Sequence, residues 1–329
     1  MTDGPAGTRP PAVAAEAEAG RGLHAFAVLV AAWTFALLFV GGLVTSREAG
    51  LVFPDWPFSY GTVNPPRWWA IDEQREEHGH RLLGWALGVL VVAQAVWIQR
   101  TEPRRWMRRL GWTLLGLVAL QGVLGGLFRV VWRMDGAAVV HGILGQGIFC
   151  VAIAIPVLLS RGWCEDPGPA PVEGARRLHR RTLMAVVALF LQVVIGALVR
   201  HSRVGHSLPH VLPHAAWGIV ALAVGLAAAG EALGRHGDRP GLERPALLLG
   251  GGLLLQMILG AGAYFANVRG VDAMVRPPVQ YWTATAHQAA GAAVLASAVV
   301  LHLRSRRLLV EPGASAARAG APVPAGGPA

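Results

Sequence analysis

Apolar residues run along this chain in long blocks, and polar residues gather between them. Eight blocks, at roughly 23–44, 78–98, 111–131, 137–159, 182–200, 208–230, 245–266 and 282–303, are each long enough to cross about 30 Å of hydrocarbon as a helix. The pattern predicts an all-α integral membrane protein with eight transmembrane helices. Residues 1–22 form an N-terminal segment ahead of the first span, 161–181 a linker in the middle, and 304–329 a tail. Beyond 312 the tail is rich in Ala, Gly and Pro and is expected to be disordered.

A few ionisable residues interrupt this pattern. The second block opens with Glu77-His78-Gly79-His80-Arg81, and His141, His214 and His287 each lie just inside the start of a later block. Such groups are costly at membrane depth, so their presence there points to function.

Charge sets the orientation. The chain is 53% hydrophobic and 15% charged, well below the roughly 25% charge of a soluble domain. Its basic residues other than histidine are all arginine, and they alternate by connection. Arg100, Arg104, Arg105, Arg108 and Arg109 lie in one, Arg161, Arg176, Arg177, Arg180 and Arg181 in another, and Arg304, Arg306 and Arg307 follow the last span. The first connection instead carries Glu48, Asp55, Asp72, Glu73 and Glu76. The positive-inside rule then places both termini in the cytoplasm, N-in and C-in. Arginines distributed in this way serve topology and argue against nucleic acid as a partner. Cys150 falls within a span and Cys164 in a cytoplasmic connection, which disfavours an outward-facing disulfide. The N-terminal segment carries Glu16 and Glu18, unlike an arginine-rich transit peptide, and the first span is expected to be retained.

Two halves of the chain repeat. Leu120-Gln121 precedes Gly125 at the spacing by which Leu255-Gln256 precedes Gly260, and Leu191-Gln192 precedes Gly196 likewise. Gly-Gly-Leu-Val at 41–44 resembles Gly-Ala-Leu-Val at 196–199. Four spans per copy preserve orientation, so the expectation is a parallel repeat of two tandem four-helix bundles, 23–160 and 182–303. His80 then matches His214, and His141 matches His287. All four sit within one or two turns of the outer end of their spans. Imidazoles on facing helices can clamp an iron porphyrin, so the pairs His80 with His141 and His214 with His287 predict two haem sites. Zinc suits the pattern less, because its structural sites take four ligands together. His210 shares a face with His214 and is an alternative ligand. His78 points away from His80 and is expected at the interface. In the outer loop, Arg200 and Arg203, with His201 and His206, are candidate haem-propionate contacts.

The halves differ at one place. Glu77 lies one turn before His80 on the same face, where its carboxylate would accept a proton or orient a water beside a porphyrin. Arg81 could pair with Glu77 or meet a propionate. The second half has Val211 and Ala215 at these positions. The asymmetry suggests one catalytic site and one redox cofactor site. A non-catalytic di-haem b-type cytochrome would need the histidines without Glu77, and a haem-handling transporter or assembly factor would need only the repeat.

Glu77-x-x-His80-Arg81 followed by Leu-Leu-Gly resembles the signature of the heme A synthase family. The loop Gly50-Leu51, Pro54-Asp55-Trp56-Pro57 and Gly61 resembles that family's first external loop, and the His141, His214 and His287-Gln288 segments resemble its other haem-ligand positions. The resemblance spans roughly 23–303. It implies a multi-pass enzyme of a bacterial cytoplasmic (inner) membrane that oxidises the C8 methyl of heme O to the formyl of heme A by successive hydroxylations. It implies heme O as substrate at His80 and His141 with Glu77 essential, and a heme b cofactor on His214 and His287. The partners it implies are a heme O synthase (protoheme farnesyltransferase), cytochrome c oxidase assembly and an unidentified electron donor; a homo-oligomer is compatible with it. Two departures stand out. Phe53 and Ser59 occupy the places of a cysteine pair found in many members, which the resemblance assigns to the subgroup lacking it. Pro213-His214-Ala215 stands where many members have His-Arg.

Overall fold

A computed structural model of the protein describes residues 11–165, 168–201, 208–269 and 277–312. The chain forms helices α1 (Pro11–Ser46), α2 (Asp72–Thr101), α3 (Arg105–Val123), α4 (Asp135–Leu159), the short α5 (Arg161–Cys164), α6 (Ala175–Arg200), α7 (Leu208–His236), α8 (Pro240–Arg269) and α9 (Pro278–Leu308). A π-helical segment, Leu124–Val131, prolongs α3. Two-residue strands, β1 (Ala170–Pro171) and β2 (Leu309–Val310), pair in parallel. Among the described residues, eight helices are long and apolar enough to cross a membrane, so the chain is an all-α, multi-pass membrane protein.

The helices outrun the apolar blocks that predict them. α2 has 30 residues, about 45 Å at the α-helical rise. Only the middle of that length must be apolar, and helical hydrogen bonding continues through polar residues at both ends. Asp72 and Glu73 in its first turn and Arg100 in its last complement the helix dipole. His80 therefore lies two turns inside α2 rather than at its beginning. α6 starts at Ala175 for the same reason, within the expected 161–181 linker.

The residues divide into two compact units. The first comprises the chain up to Cys164 together with the start of α9 as far as Thr285. In it α1 packs on α2 and α4, and α3 closes the ring against both. Leu23, Ala27, Val30, Leu87, Val91, Ile98, Leu114, Ile148 and Ile155 fill its interior. Arg47, just past α1, grips the start of α2 through Glu76 at 2.6 Å and Asp72 at 3.0 Å. The start of α9 is tied to α1 by Ser46 Oγ and Thr285 Oγ1, 2.9 Å apart. A sequence repeat marks equivalent helices and carries no signal for this grouping of the first turns of α9.

The second unit comprises residues from Glu165 to the stretch before α9, and α9 from Ala286 onward. Here α7 packs on α6 and α8. Polar rungs join α9 to α6. The ring of His179 bonds Ser305 O at 2.9 Å through Nε2, and Thr182 Oγ1 lies 2.9 Å from His302 Nδ1.

Candidate functional site

Each of the four histidines lies against a glycine of the preceding helix. A Cβ built on Gly41, Gly125, Gly196 or Gly260 would stand 2.6–2.9 Å from Cε1 of His80, His141, His214 or His287 respectively. No side chain fits there, so glycine is what lets each imidazole lie on the neighbouring backbone. The recurring unit is thus smaller than the four-span copy. It is a two-helix hairpin, glycine on the first helix and histidine on the second, used four times.

Glutamine adds a further layer in three of the hairpins. Gln121 and Gln192, each four residues before the glycine, donate their amides to the backbone carbonyls of His141 and His214 at 2.9 and 3.0 Å. Those amides, and that of Gln256, also lie 3.0–3.1 Å from a Cβ built on Gly145, Gly218 or Gly291, four residues after the respective histidine. The first hairpin has Leu37 in place of the glutamine. The repeat made Gln-x-x-x-Gly visible, yet only packing reveals that it cradles histidine.

These residues suit a haem iron. His141 Nδ1 lies 3.1 Å from the carbonyl of Gln121; a carbonyl only accepts, so Nδ1 carries the proton and Nε2 keeps its lone pair for a metal. His80 and His287 each have a buried Nδ1 without a hydrogen-bond partner, and all four rings remain half-buried. His214 and His287 stand with ring centres 6.1 Å apart and planes at 83°. Two imidazole–metal bonds of about 2 Å, with about 1 Å from each nitrogen to its ring centre, span about 6 Å. In the first unit, His80 and His141 are close enough to act on one another electrostatically. His214 and His287 thus face one another, and His80 and His141 lie within electrostatic range of each other. His210 is exposed while His214 faces His287, which favours His214 between the two alternatives.

Glu77 is a docking point as well as a carboxylate beside His80. Its Oε2 accepts the backbone N–H groups of Val52 at 2.6 Å and Phe53 at 3.1 Å, and its Oε1 pairs with Arg81. Arg81 also donates to the carbonyls of Asp55 and Phe58. Two side chains of α2 thus pin the loop between α1 and α2 by its main chain. Trp56 of that loop lies against Gly126, where any Cβ would enter the indole. Gly125 and Gly126 in the π-helical segment therefore receive His141 and Trp56 on adjacent residues. Such segments, with one extra residue per turn, often occur at functional sites.

His78 requires a correction. It is buried, with Nδ1 3.0 Å from Ser59 Oγ, and its ring packs on Phe53 and Trp68. The loop folds over α2 and covers it. Phe53 and Ser59 are both buried and both contact His78. They join loop to helix by packing and a hydrogen bond. Arg200, at the end of α6, lies within electrostatic range of His287. Arg203 and His206 lie outside the described residues.

Asp55 organises the loop itself. Burial acts to raise its pKa, but the N–H groups of Gly61 at 2.6 Å and Tyr60 at 2.8 Å hold the carboxyl below its usual 3.8. Gly61 has φ 74°, a turn conformation that favours glycine. Because the folded pKa is depressed, the ionised form stabilises the docked loop above the usual carboxylate pKa, and this contribution is lost as pH falls through the folded value. Hydrogen-exchange protection at Tyr60 and Gly61 is expected to drop in acid below pH 3.8, and Asp55→Asn should remove that dependence. Protection unaffected by pH would count against the role of Asp55.

Residues 72–213 match the family model described as Cytochrome oxidase assembly protein. The match includes Glu77, His80, Arg81 and His141 and ends one residue before His214. The heme A synthase of Methylobacterium sp. (strain 4-46) is 33% identical over 54% of this chain and 57% of its own length. Those of Hyphomonas neptunium and Halalkalibacterium halodurans are each 27% identical, over 52% and 56% of this chain and 57% and 61% of their own. The chain thus spans a little over half the length of the curated relatives it matches. Across residues 72–213 it resembles the cytochrome oxidase assembly protein family, and over about half its length it is similar in sequence to heme A synthases.

Proposed function

We propose that the protein is a heme A synthase of a bacterial inner membrane, oxidising the C8 methyl of heme O to the formyl of heme A for cytochrome oxidase biogenesis. The observation that carries this is the asymmetry between the units. Each holds a glycine-cradled histidine pair, but among the described residues only the first sets a carboxylate, Glu77, one turn from a histidine beneath a docked loop. The similarity to heme A synthases supports the same conclusion.

Heme O as substrate would be held by His80 and His141 in the first unit, with Trp56 and the loop limiting access of water. Glu77 would take up a proton beside the reacting methyl, held in place by Val52, Phe53 and Arg81. Heme b bound to His214 and His287 would supply one-electron transfer. In that unit the residues hold and orient: Gly196 and Gly260 admit the imidazoles, Gln192 fixes the helix carrying His214, and Arg200 would meet a propionate. Arg81 is committed to Glu77 and the loop carbonyls, so its role is to position them. A heme O synthase would supply the substrate, and a membrane-linked donor the electrons.

The test is co-expression with a heme O synthase, followed by haem extraction and chromatography. Heme A or hydroxylated heme O is expected. Heme O alone, with b-type haem bound to the protein, would indicate an electron carrier instead. His287→Ala should lower bound heme b by half or more, measured as haem per protein. An unchanged low-spin spectrum in both His287→Ala and His214→Ala would refute that ligand pair.

A further inference from the structure

A second polar feature lies far along α6 and α7 from the histidines, at the arginine-rich end of both helices. Glu231 of α7 is buried, with its side chain 1% exposed, and forms ion pairs with Arg177 Nε at 2.6 Å and Arg181 Nη1 at 2.8 Å. Arg177 and Arg181 are four residues apart and share one face of α6. Together with Arg235, Gly230 and Gly234 they line an open cavity of about 490 Å³.

Charge and shape identify its ligand class. Three arginines against one glutamate leave a net charge of +2 on the lining. Glu231 meets Arg177 at Nε and Arg181 at Nη1, and these side chains stay 37% and 42% exposed, so it holds the two forks in place while leaving them accessible. Planar arginine forks match phosphate oxygens in geometry and charge. A Cβ at Gly230 or Gly234 would have nothing within 4 Å, so the cavity lies open beside bare helix backbone. One turn farther along α6 from Arg181, Met184 is 50% exposed, and Leu226 of α7 is 37% exposed. A cationic, anion-binding site thus adjoins apolar surface. Basic pockets between membrane helices at the inner face suit anionic headgroups, and the positive-inside rule puts these arginines at that face.

We infer that Arg177 and Arg181, ordered by Glu231, form together with Arg235 a phosphate-binding site occupied by the headgroup of an anionic phospholipid. Its acyl chains would lie over Met184 and Leu226. This site serves no step of the chemistry proposed above, and its test does not depend on that chemistry.

The experiment uses the full-length protein in neutral detergent, with thermal unfolding and native mass spectrometry at constant ionic strength. Phosphatidylglycerol is expected to raise the unfolding temperature and to remain bound, whereas phosphatidylcholine does neither. Arg235→Gln leaves both Glu231 ion pairs intact and is expected to weaken phosphatidylglycerol binding several-fold; Arg181→Gln should weaken it further if it folds. Inorganic phosphate producing the same shift as phosphatidylglycerol would establish the anion site and overturn the lipid as its source. Equal response to both lipids, or binding by Arg235→Gln equal to that of the unsubstituted protein, would overturn the site.

Discussion

Glu77→Ala is expected to leave haem bound and to reduce conversion of heme O by roughly 10²-fold or more, the usual scale for losing a positioned acid/base group. The substitution also removes the acceptor for Val52 N–H, Phe53 N–H and one nitrogen of Arg81. Leaving buried donors unpaired costs about 1–3 kcal/mol each, so the loop should loosen as well. Glu77→Gln separates the two effects. Its amide oxygen can still accept from the loop but cannot take up a proton as a carboxylate does. If proton transfer matters, the glutamine variant keeps protection at Val52 and Phe53 yet loses conversion. Recovery of conversion in Glu77→Gln would reduce Glu77 to a loop anchor, and normal heme A accumulation in Glu77→Ala would remove it from the site. Haem chromatography and hydrogen exchange read the two outcomes separately.

The second large effect concerns glycine. Gly260→Ala places a Cβ 2.8 Å from Cε1 of His287, while a Cβ at Gly262 meets nothing within 4 Å. Two substitutions of identical chemistry, two residues apart on α8, should behave oppositely. Overpacking of this kind costs about 1–3 kcal/mol, and here the only relief is to move a ring that must face His214. Haem per protein should fall severalfold in Gly260→Ala and its low-spin spectrum should change. Gly262→Ala should keep its haem and gain about 0.5–1 kcal/mol of helix stability. Full haem content in both variants would show that the glycine cradle does not set ligand position. The same contrast applies to Gly125, against His141, and Gly122, where nothing would be touched.

Much of the site was legible before any coordinates. A histidine inside an apolar block is costly enough to stand out, and four at matched depth in a repeated pattern define candidate pairs. Glu77 was visible because the second half lacks it. The glycines and glutamines that hold the histidines were visible only as a repeat, since small residues recur in membrane helices for ordinary packing. His78 was misplaced because helical spacing shows which face it occupies but not that a loop covers that face. The arginine cavity is invisible to linear charge counting, which cannot see Glu231 bring Arg177 and Arg181 together from one turn of a neighbouring helix.

The sequence by itself determined the eight spans, the orientation expected of them and the identities of the costly residues. Hydropathy and charge act one residue at a time against a fixed slab of lipid, so they can be read in one dimension. Only the tertiary structure decided which histidine meets which glycine, that Glu77 and Arg81 grip the main chain of the loop, and that the first turns of α9 group with the first unit. Those outcomes depend on close approach between segments distant in sequence, where a single Cβ or one backbone N–H decides what fits.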